Sequence, residues 1–316
     1  MPPRRVIGID AGGTKLLGGV VDEGLVVHHR VHRTWRGADR TETLDIFVES
    51  VEEVRAAAPD VAAVGFGIPA LVEFDSGVSR WSTHLPLADV RFRDVMSERI
   101  GLPVFVDNDA NVALLAESRF GVAREASHAV FVALGTGIGS GLLLDGKIYR
   151  GARGMGAEIG HMVIDLHGPD CQGECPGRGC LEVMASGSTI GREGRAAAAA
   201  EPSSALGRRA AADQEISGGI VTELAHAGDP AATAVLTQIG RRLGYGLVGV
   251  VNVFNPELIV LGGGALAAGE LLLEPAREVV AERALPPVRE MVSIVPAEFG
   301  DEAGMLGAAL LALDSL

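Results

Sequence analysis

Val6-Ile7-Gly8-Ile9-Asp10-Ala11-Gly12-Gly13-Thr14-Lys15 is an apolar run that ends on an acid and a pair of glycines. The apolar part reads as a short buried strand. The glycines let the chain turn sharply and present backbone N–H groups to an anion. Thr14 adds a hydroxyl and Lys15 a cation, and an acid at the strand end, Asp10, suits a hydrated magnesium ion. An ordinary hairpin would also use a Gly-Gly pair. A second occurrence of the pattern argues for more than that: residues 129–134 form another apolar run that enters Gly135-Thr136-Gly137-Ile138-Gly139. Each half therefore opens with a strand, a hairpin and a Gly/Thr-rich loop. This echo predicts an α/β chain of two similar domains around a central cleft, with two loops cradling a polyphosphate from both sides. The Walker spacing Gly-x4-Gly-Lys-Ser/Thr occurs nowhere.

Working outward, strands are expected over 16–21 and 25–33, around a turn at Asp22-Glu23-Gly24. Leu44, Phe47, Val48, Val51 and Val54 share one helical face and predict a helix over 41–58. The pattern continues with a strand over 61–68, a helix over 87–100, a strand over 103–106 and a helix over 109–120. In the second half, Asp145-Gly146 marks a hairpin joining 142–144 to 147–149. A weakly defined helical region runs from 196 to about 217, then a helix over 230–251 and a strand over 258–261 that enters Gly262-Gly263-Gly264. Helices over 271–283 and 303–313 close the chain. The domains expected are 1–120 with the last helix (about 302–316), and 121–301 with a cysteine-bearing loop at 161–182.

The length of 316 residues fits two domains, because single cores rarely grow beyond about 250–300 residues. A net charge of −14 argues against a partner bound through nucleic-acid phosphates, and 4% aromatics leave few base-stacking platforms. No uncharged apolar run reaches the roughly 18 residues of a membrane span. The first residues lack the pattern of a signal peptide. The expectation is a cytoplasmic protein with neither nucleic acid nor membrane as partner.

All three cysteines lie in one polar, turn-rich stretch: Cys171, Cys175 and Cys180 follow Glu158-Ile159-Gly160-His161 and precede Glu182. Three thiolates and an imidazole are the donor set of a closed zinc site. Core packing would place such cysteines on an apolar strand or helix, and a disulfide would leave one over. Zinc at His161, Cys171, Cys175 and Cys180 would also hold the glutamates that flank the ligands.

Phe105-Val106-Asp107-Asn108-Asp109-Ala110-Asn111 places polar groups where a strand ends and a helix begins, the usual ligand-binding end of an α/β sheet. One aspartate there suits a base that takes a hydroxyl proton in phosphoryl transfer. Helix capping uses the same residue types, so Asn108 or Asp107 as cap and Asp109 reaching the cleft is the expected division.

These motifs together resemble the ROK family of repressors and sugar kinases, and within it the bacterial glucokinases. The likeness rests on residues 10–15, 107–111, 134–139, Glu158-Ile159-Gly160-His161, the cysteines with Glu182, 261–264, and Ala303-Gly304-Met305-Leu306-Gly307-Ala308. It implies the actin-like ATPase fold, two ribonuclease-H-like domains closing on ATP and a sugar. By position it makes Asp109 the base for a sugar 6-hydroxyl, with Asn108, Glu158, His161 and Glu182 on the other hydroxyls. Gly12, Gly13, Thr14, Lys15, Thr136 and Gly137 approach phosphates, and Gly262, Gly263 and Gly264 approach adenosine. Magnesium would accompany ATP, and zinc would be structural. Family members are commonly dimers or tetramers, so a homodimer or homotetramer is expected.

The chain departs from the family at three places. Cys171 and Cys175 are separated by three residues where the family has Cys-x-Cys. Ser82-Thr83-His84-Leu85-Pro86 stands where glucokinases tend to have Pro-Asn-Leu, which puts His84 in the position of a sugar-contacting asparagine. Ala70 replaces a usual glycine. Glucose is the first expectation, with fructose, N-acetylmannosamine, N-acetylglucosamine or allose as alternatives and polyphosphate as a less favoured donor. A sugar-responsive repressor would carry a DNA-binding element before the first strand. A catalytically silent sugar sensor would have no need of Asp109 and both glycine loops.

Overall fold

Strand β1 (Arg5–Ala11) pairs antiparallel with β2 (Lys15–Asp22), Asp10 opposite Leu17, and β2 pairs antiparallel with β3 (Val27–Thr34). On its other edge β1 pairs parallel with β4 (Val64–Ile68), and β4 with β7 (Val104–Asn108), giving the order β3-β2-β1-β4-β7. The structure, a computed structural model, describes residues 3–12, 15–35, 37–83 and 85–316. Gly13, Thr14 and His84, singled out in the sequence, lie outside the described residues.

A second five-stranded sheet has the corresponding order β10-β9-β8-β11-β12. Its strands are β8 (Ala129–Leu134), β9 (Ile138–Leu144), β10 (Lys147–Tyr149), β11 (Leu258–Gly262) and β12 (Ser293–Pro296). The echo in the sequence is thus an echo of sheet order: an inner strand, a hairpin on one side and two later strands on the other. By contacts the chain divides into two compact units. One comprises Met1–Phe131, Ser140–Ala157 and Ala297–Leu316, the other Val132–Gly139 and Glu158–Pro296.

In the first unit, helix α1 (Arg40–Ala56) starts where the Asp39 side chain accepts from the Glu42 N–H. It buries Leu44, Phe47, Val51 and Val54, and the Phe47, Phe66 and Phe92 rings meet with centroids 5.2–6.1 Å apart. Helix α2 (Phe92–Ile100) is shorter than the sequence predicts. A small hairpin, β5 (Leu71–Glu73) with β6 (Val78–Trp81), captures the preceding segment: Ser79 and Val90 exchange N–H···O bonds of 2.9 Å. Backbone groups committed to a sheet edge cannot also start a helix, and Asp89 has a φ of 50°. Helix α3 (Asp109–Arg119) follows β7 directly. The last helix of the chain, α11 (Ala303–Asp314), lies against β1, β4 and α3. Its backbone approaches so closely that a side chain at Gly8 would stand 2.8 Å from the Ala309 nitrogen, and one at Gly65 would enter the Ala308 carbonyl.

In the second unit the weakly patterned region resolves into α5 (Gly187–Ala200), α6 (Ala205–Ala211) and α7 (Gly218–His226), after a short α4 (Leu181–Ala185). Each of α5, α6 and α7 is capped by a serine, Ser186, Ser204 or Ser217, whose oxygen accepts from a first-turn N–H. The long helix α8 (Pro230–Phe254) is capped by Asp229 and packs on α9 (Glu270–Arg283). One turn, α10 (Val288–Met291), precedes β12. Among the described residues no helix is long and apolar enough to cross a membrane.

Candidate active site and metal centre

The junction of β7 and α3 carries four polar residues, and three of them are committed to one another. Asn108 is the N-cap: its Oδ1 accepts from the N–H groups of Ala110 (2.9 Å) and Asn111 (3.3 Å), and its Nδ2 donates to the Ala70 carbonyl (3.4 Å). Asp107 is fully buried and accepts from Arg150 Nε at 2.6 Å, Asn111 Nδ2 at 3.0 Å and the Asn108 N–H at 2.8 Å. Burial still holds its carboxyl above the ordinary range, against the pull of the guanidinium and the donors. Arg150 in turn lies over the Phe74 ring, 3.8 Å from its centroid. The partly buried Asp109 is the first residue of the helix, its Oδ1 accepting from the Ala110 N–H at 2.9 Å. The helix dipole favours a negative charge in that first turn. Sequence reasoning missed Arg150 and Phe74, whose only signal is that a buried aspartate needs a cation.

Asp10 ends in the same unit, at the turn from β1 to β2. Trp35 Nε1 donates to the Gly12 carbonyl at 3.1 Å, and Lys15 is exposed as the first residue of β2. The Asp10 carboxyl stands over the first turn of α11, so close that a Cβ at Gly304 would lie 2.5 Å from its Cγ. Burial pushes the Asp10 carboxyl up to about 8, and the carboxylates of Asp109 and Asp301 push in the same direction. Such a group holds its proton until a cation arrives to balance it.

In the second unit, His161 closes a 3₁₀ turn (Ile159–His161), Cys171 and Cys175 sit in the following loop, and Cys180 is the N-cap of α4. One ligand atom from each lies within 4.8 Å of all the others, and Cys171 Sγ is 3.8 Å from His161 Nδ1. Backbone bonds beside an isolated bridge between Asp170 and Arg178 fix the loop: Cys171 N–H donates to Gly177 at 2.9 Å and Gly179 N–H to Pro169 at 2.7 Å. The longer Cys171–Cys175 spacing is therefore compatible with a closed four-donor set. Burial, then the neighbouring thiols, push the Cys171 thiol up to about 12. Three thiols this close ionise together only around a cation, which fits the donor set of zinc.

Glu182, in the first turn of α4, is 4% exposed and accepts from the Ile138 N–H at 2.8 Å. Its other oxygen is 4.0 Å from Cys171 Sγ. The second glycine loop is thereby tied to the four-donor cluster. Its Thr136 is exposed, and its Gly137 partly so. Gly263, with φ 88°, abuts the end of β8, where a Cβ would stand 2.6 Å from the Leu134 carbonyl oxygen. Gly262, Gly263 and Gly264 thus lie beside the same loop as Thr136 and Gly137. Glu158, partly exposed, follows Ala157 in a left-handed conformation and leads into the turn that carries His161. The structure gathers Asp10, Asn108 and Asp109 in one unit, and Glu158, His161, Glu182 and the cysteines in the other.

Comparison with known proteins finds relatives over nearly the whole chain. The sequence pattern of the ROK family matches residues 6–315. A glucokinase of Thermotoga maritima is 33% identical over 311 residues, 98% of this chain and 97% of that protein. A putative xylose repressor of a Caldicellulosiruptor species is 32% identical over 278 residues, 87% of this chain and 68% of that protein. Among solved structures, a ROK family glucokinase from Streptomyces griseus in complex with glucose and AMPPNP superposes with a TM-score of 0.90 at 32% identity. That match covers 98% of this chain and 99% of the other.

Proposed function

The chain belongs to the ROK family, and from that premise we propose that it is a sugar kinase that transfers the γ-phosphoryl group of ATP to the 6-hydroxyl of a hexose, glucose first. The observation that carries the reading is the division of labour at the head of α3. Asp107 is held by Arg150 and Asn111, and Asn108 forms the cap, which puts Asp109 in the first turn of α3 as the candidate base. Asp109 accepts the proton of the sugar hydroxyl as its oxygen bonds to the γ-phosphorus, and the bond to the bridging oxygen breaks to release ADP. Asn108, Glu158, His161 and Glu182 orient the remaining hydroxyls, with His84 the residue that tunes the choice of sugar. Gly12, Gly13, Thr14, Lys15, Thr136 and Gly137 receive the phosphates, and Gly262, Gly263 and Gly264 the adenosine.

Asp10 would hold magnesium through water and so balance phosphate charge. Zinc on His161 Nδ1 and the cysteine sulfurs would be structural, leaving His161 Nε2 to face the sugar. The glucose and AMPPNP bound to the Streptomyces griseus relative support both substrates. A coupled assay over hexoses and N-acetylhexosamines, with ATP and with polyphosphate, tests the reading; turnover of none of them defeats it. The xylose-repressor relative supports one other reading, a sugar sensor without phosphotransfer. Sugar binding with no turnover in the same assay would select it.

A further inference from the structure

Two residues that follow metal ligands reach the second glycine loop. Gln172 comes directly after Cys171, in the spacing that is longer here than Cys-x-Cys. Its Nε2 donates to the Thr136 carbonyl at 3.4 Å and lies 3.3 Å from the Ser186 hydroxyl. Glu182 comes just after Cys180 and accepts the Ile138 N–H at 2.8 Å. Beyond α4, the Gly187 N–H donates to the Gly135 carbonyl at 2.8 Å. Residues 135, 136 and 138 are thus each held by the segment that begins at Cys171 and leaves α4 at Gly187.

A glycine-rich loop loses much conformational freedom when it orders, so a loop already held in place binds its ligand more tightly. Ile138 is 3% exposed, so its N–H would have no ready substitute for the Glu182 carboxylate. Both contacts depend on where Cys171 and Cys180 stand, and a four-donor metal would fix both.

We propose that Gln172 and Glu182 join the metal centre to the second glycine loop, so that metal occupancy sets the conformation of residues 135–138 and through it the affinity for nucleotide phosphates. The nucleotide half of this inference rests on the kinase reading above. Gln172 acts as a positioning residue, through Thr136.

The test compares zinc-loaded protein, chelator-stripped protein and zinc-loaded Gln172→Ala. Hydrogen–deuterium exchange of residues 132–139 is followed beside calorimetric titration with AMPPNP and with glucose. Stripping and Gln172→Ala should both speed exchange over 135–138 and weaken AMPPNP by about 3- to 10-fold, the scale of one hydrogen bond. Glucose affinity in Gln172→Ala should stay within about 2-fold, an effect too small for loss of a contact. Unchanged exchange and unchanged AMPPNP affinity in both altered forms would overturn the coupling. Zinc-loaded wild-type protein that binds no AMPPNP would instead defeat the kinase reading, and the exchange data would still decide whether metal and loop are linked.

Discussion

Asp107 and Arg150 form a buried ion pair, 2.6 Å between Oδ2 and Nε, with 1% of the aspartate side chain and 22% of the arginine side chain exposed. The pair sits one residue from Asn108, the cap that starts α3, and two from Asp109. Arg150→Met keeps most of the packing on Phe74 and strands a buried carboxylate. Removing one partner of a buried pair costs about 3–5 kcal/mol, reduced here because Arg150 is not fully enclosed and Asp107 can hold a proton. A loss of roughly 2–3 kcal/mol in denaturant unfolding is expected. Turnover should fall by more than sugar affinity, because the helix start that carries Asp109 loosens. Arg150→Lys should recover part of the stability, since it keeps the charge without the planar fork.

Asp109→Asn separates chemistry from structure. The amide keeps the size of the side chain and can still accept from Ala110, so melting temperature should shift little. If Asp109 is the base, the turnover number should fall by about 10²- to 10⁴-fold, the usual contribution of a positioned base, with sugar binding retained by calorimetry. Turnover equal to wild type would remove Asp109 from that role.

The turn of the second glycine loop, the cap at the head of α3 and the clustered cysteines were legible because each depends on local chain chemistry: turns, caps and ligand spacing. The repeated strand, glycine loop and hairpin of each half were legible for the same reason, whereas the sheet order was not, because it depends on parallel pairing between distant strands. What was hidden depends on contacts distant in sequence. Asp107 is anchored by Arg150, 43 residues away, and Glu182 reaches Ile138 across 44. The β5–β6 hairpin was missed because its strands have only three and four residues, and it shortened α2 by taking Val90 into a sheet edge.

Asp10 gives the fold a pH dependence that a magnesium–nucleotide complex should reverse. Its carboxyl is raised from 3.8 to about 8 by burial and by Asp109 and Asp301. Between those values the native chain holds a proton that the unfolded chain releases, so stability falls as pH rises from about 4 to 8. Asp10→Asn removes the liability: the variant should melt higher than wild type near pH 8, and the difference should vanish near pH 4. Magnesium with AMPPNP should raise the wild-type melting temperature at pH 8 and raise that of Asp10→Asn far less. Scanning calorimetry across that range decides it; a gap between the two proteins that is independent of pH would show that Asp10 is not the titrating group.

Metal analysis of purified protein should find about one zinc per chain, the count implied by one set of four donors. Cys175 is the sharpest probe, because it lies in the altered spacing and is not a helix cap. Cys175→Ser removes one donor with little change in volume, and a three-donor site holds zinc far less tightly. The variant should lose zinc to a mild chelator that leaves the wild type loaded. Because binding energy at a structural site is folding energy, its melting temperature should fall by about 5–10 °C, the shift expected for a few kcal/mol in a chain of this size. Added zinc should restore part of that loss. Wild-type protein that is stripped of metal and melts at the same temperature would show that His161, Cys171, Cys175 and Cys180 are held together by packing alone.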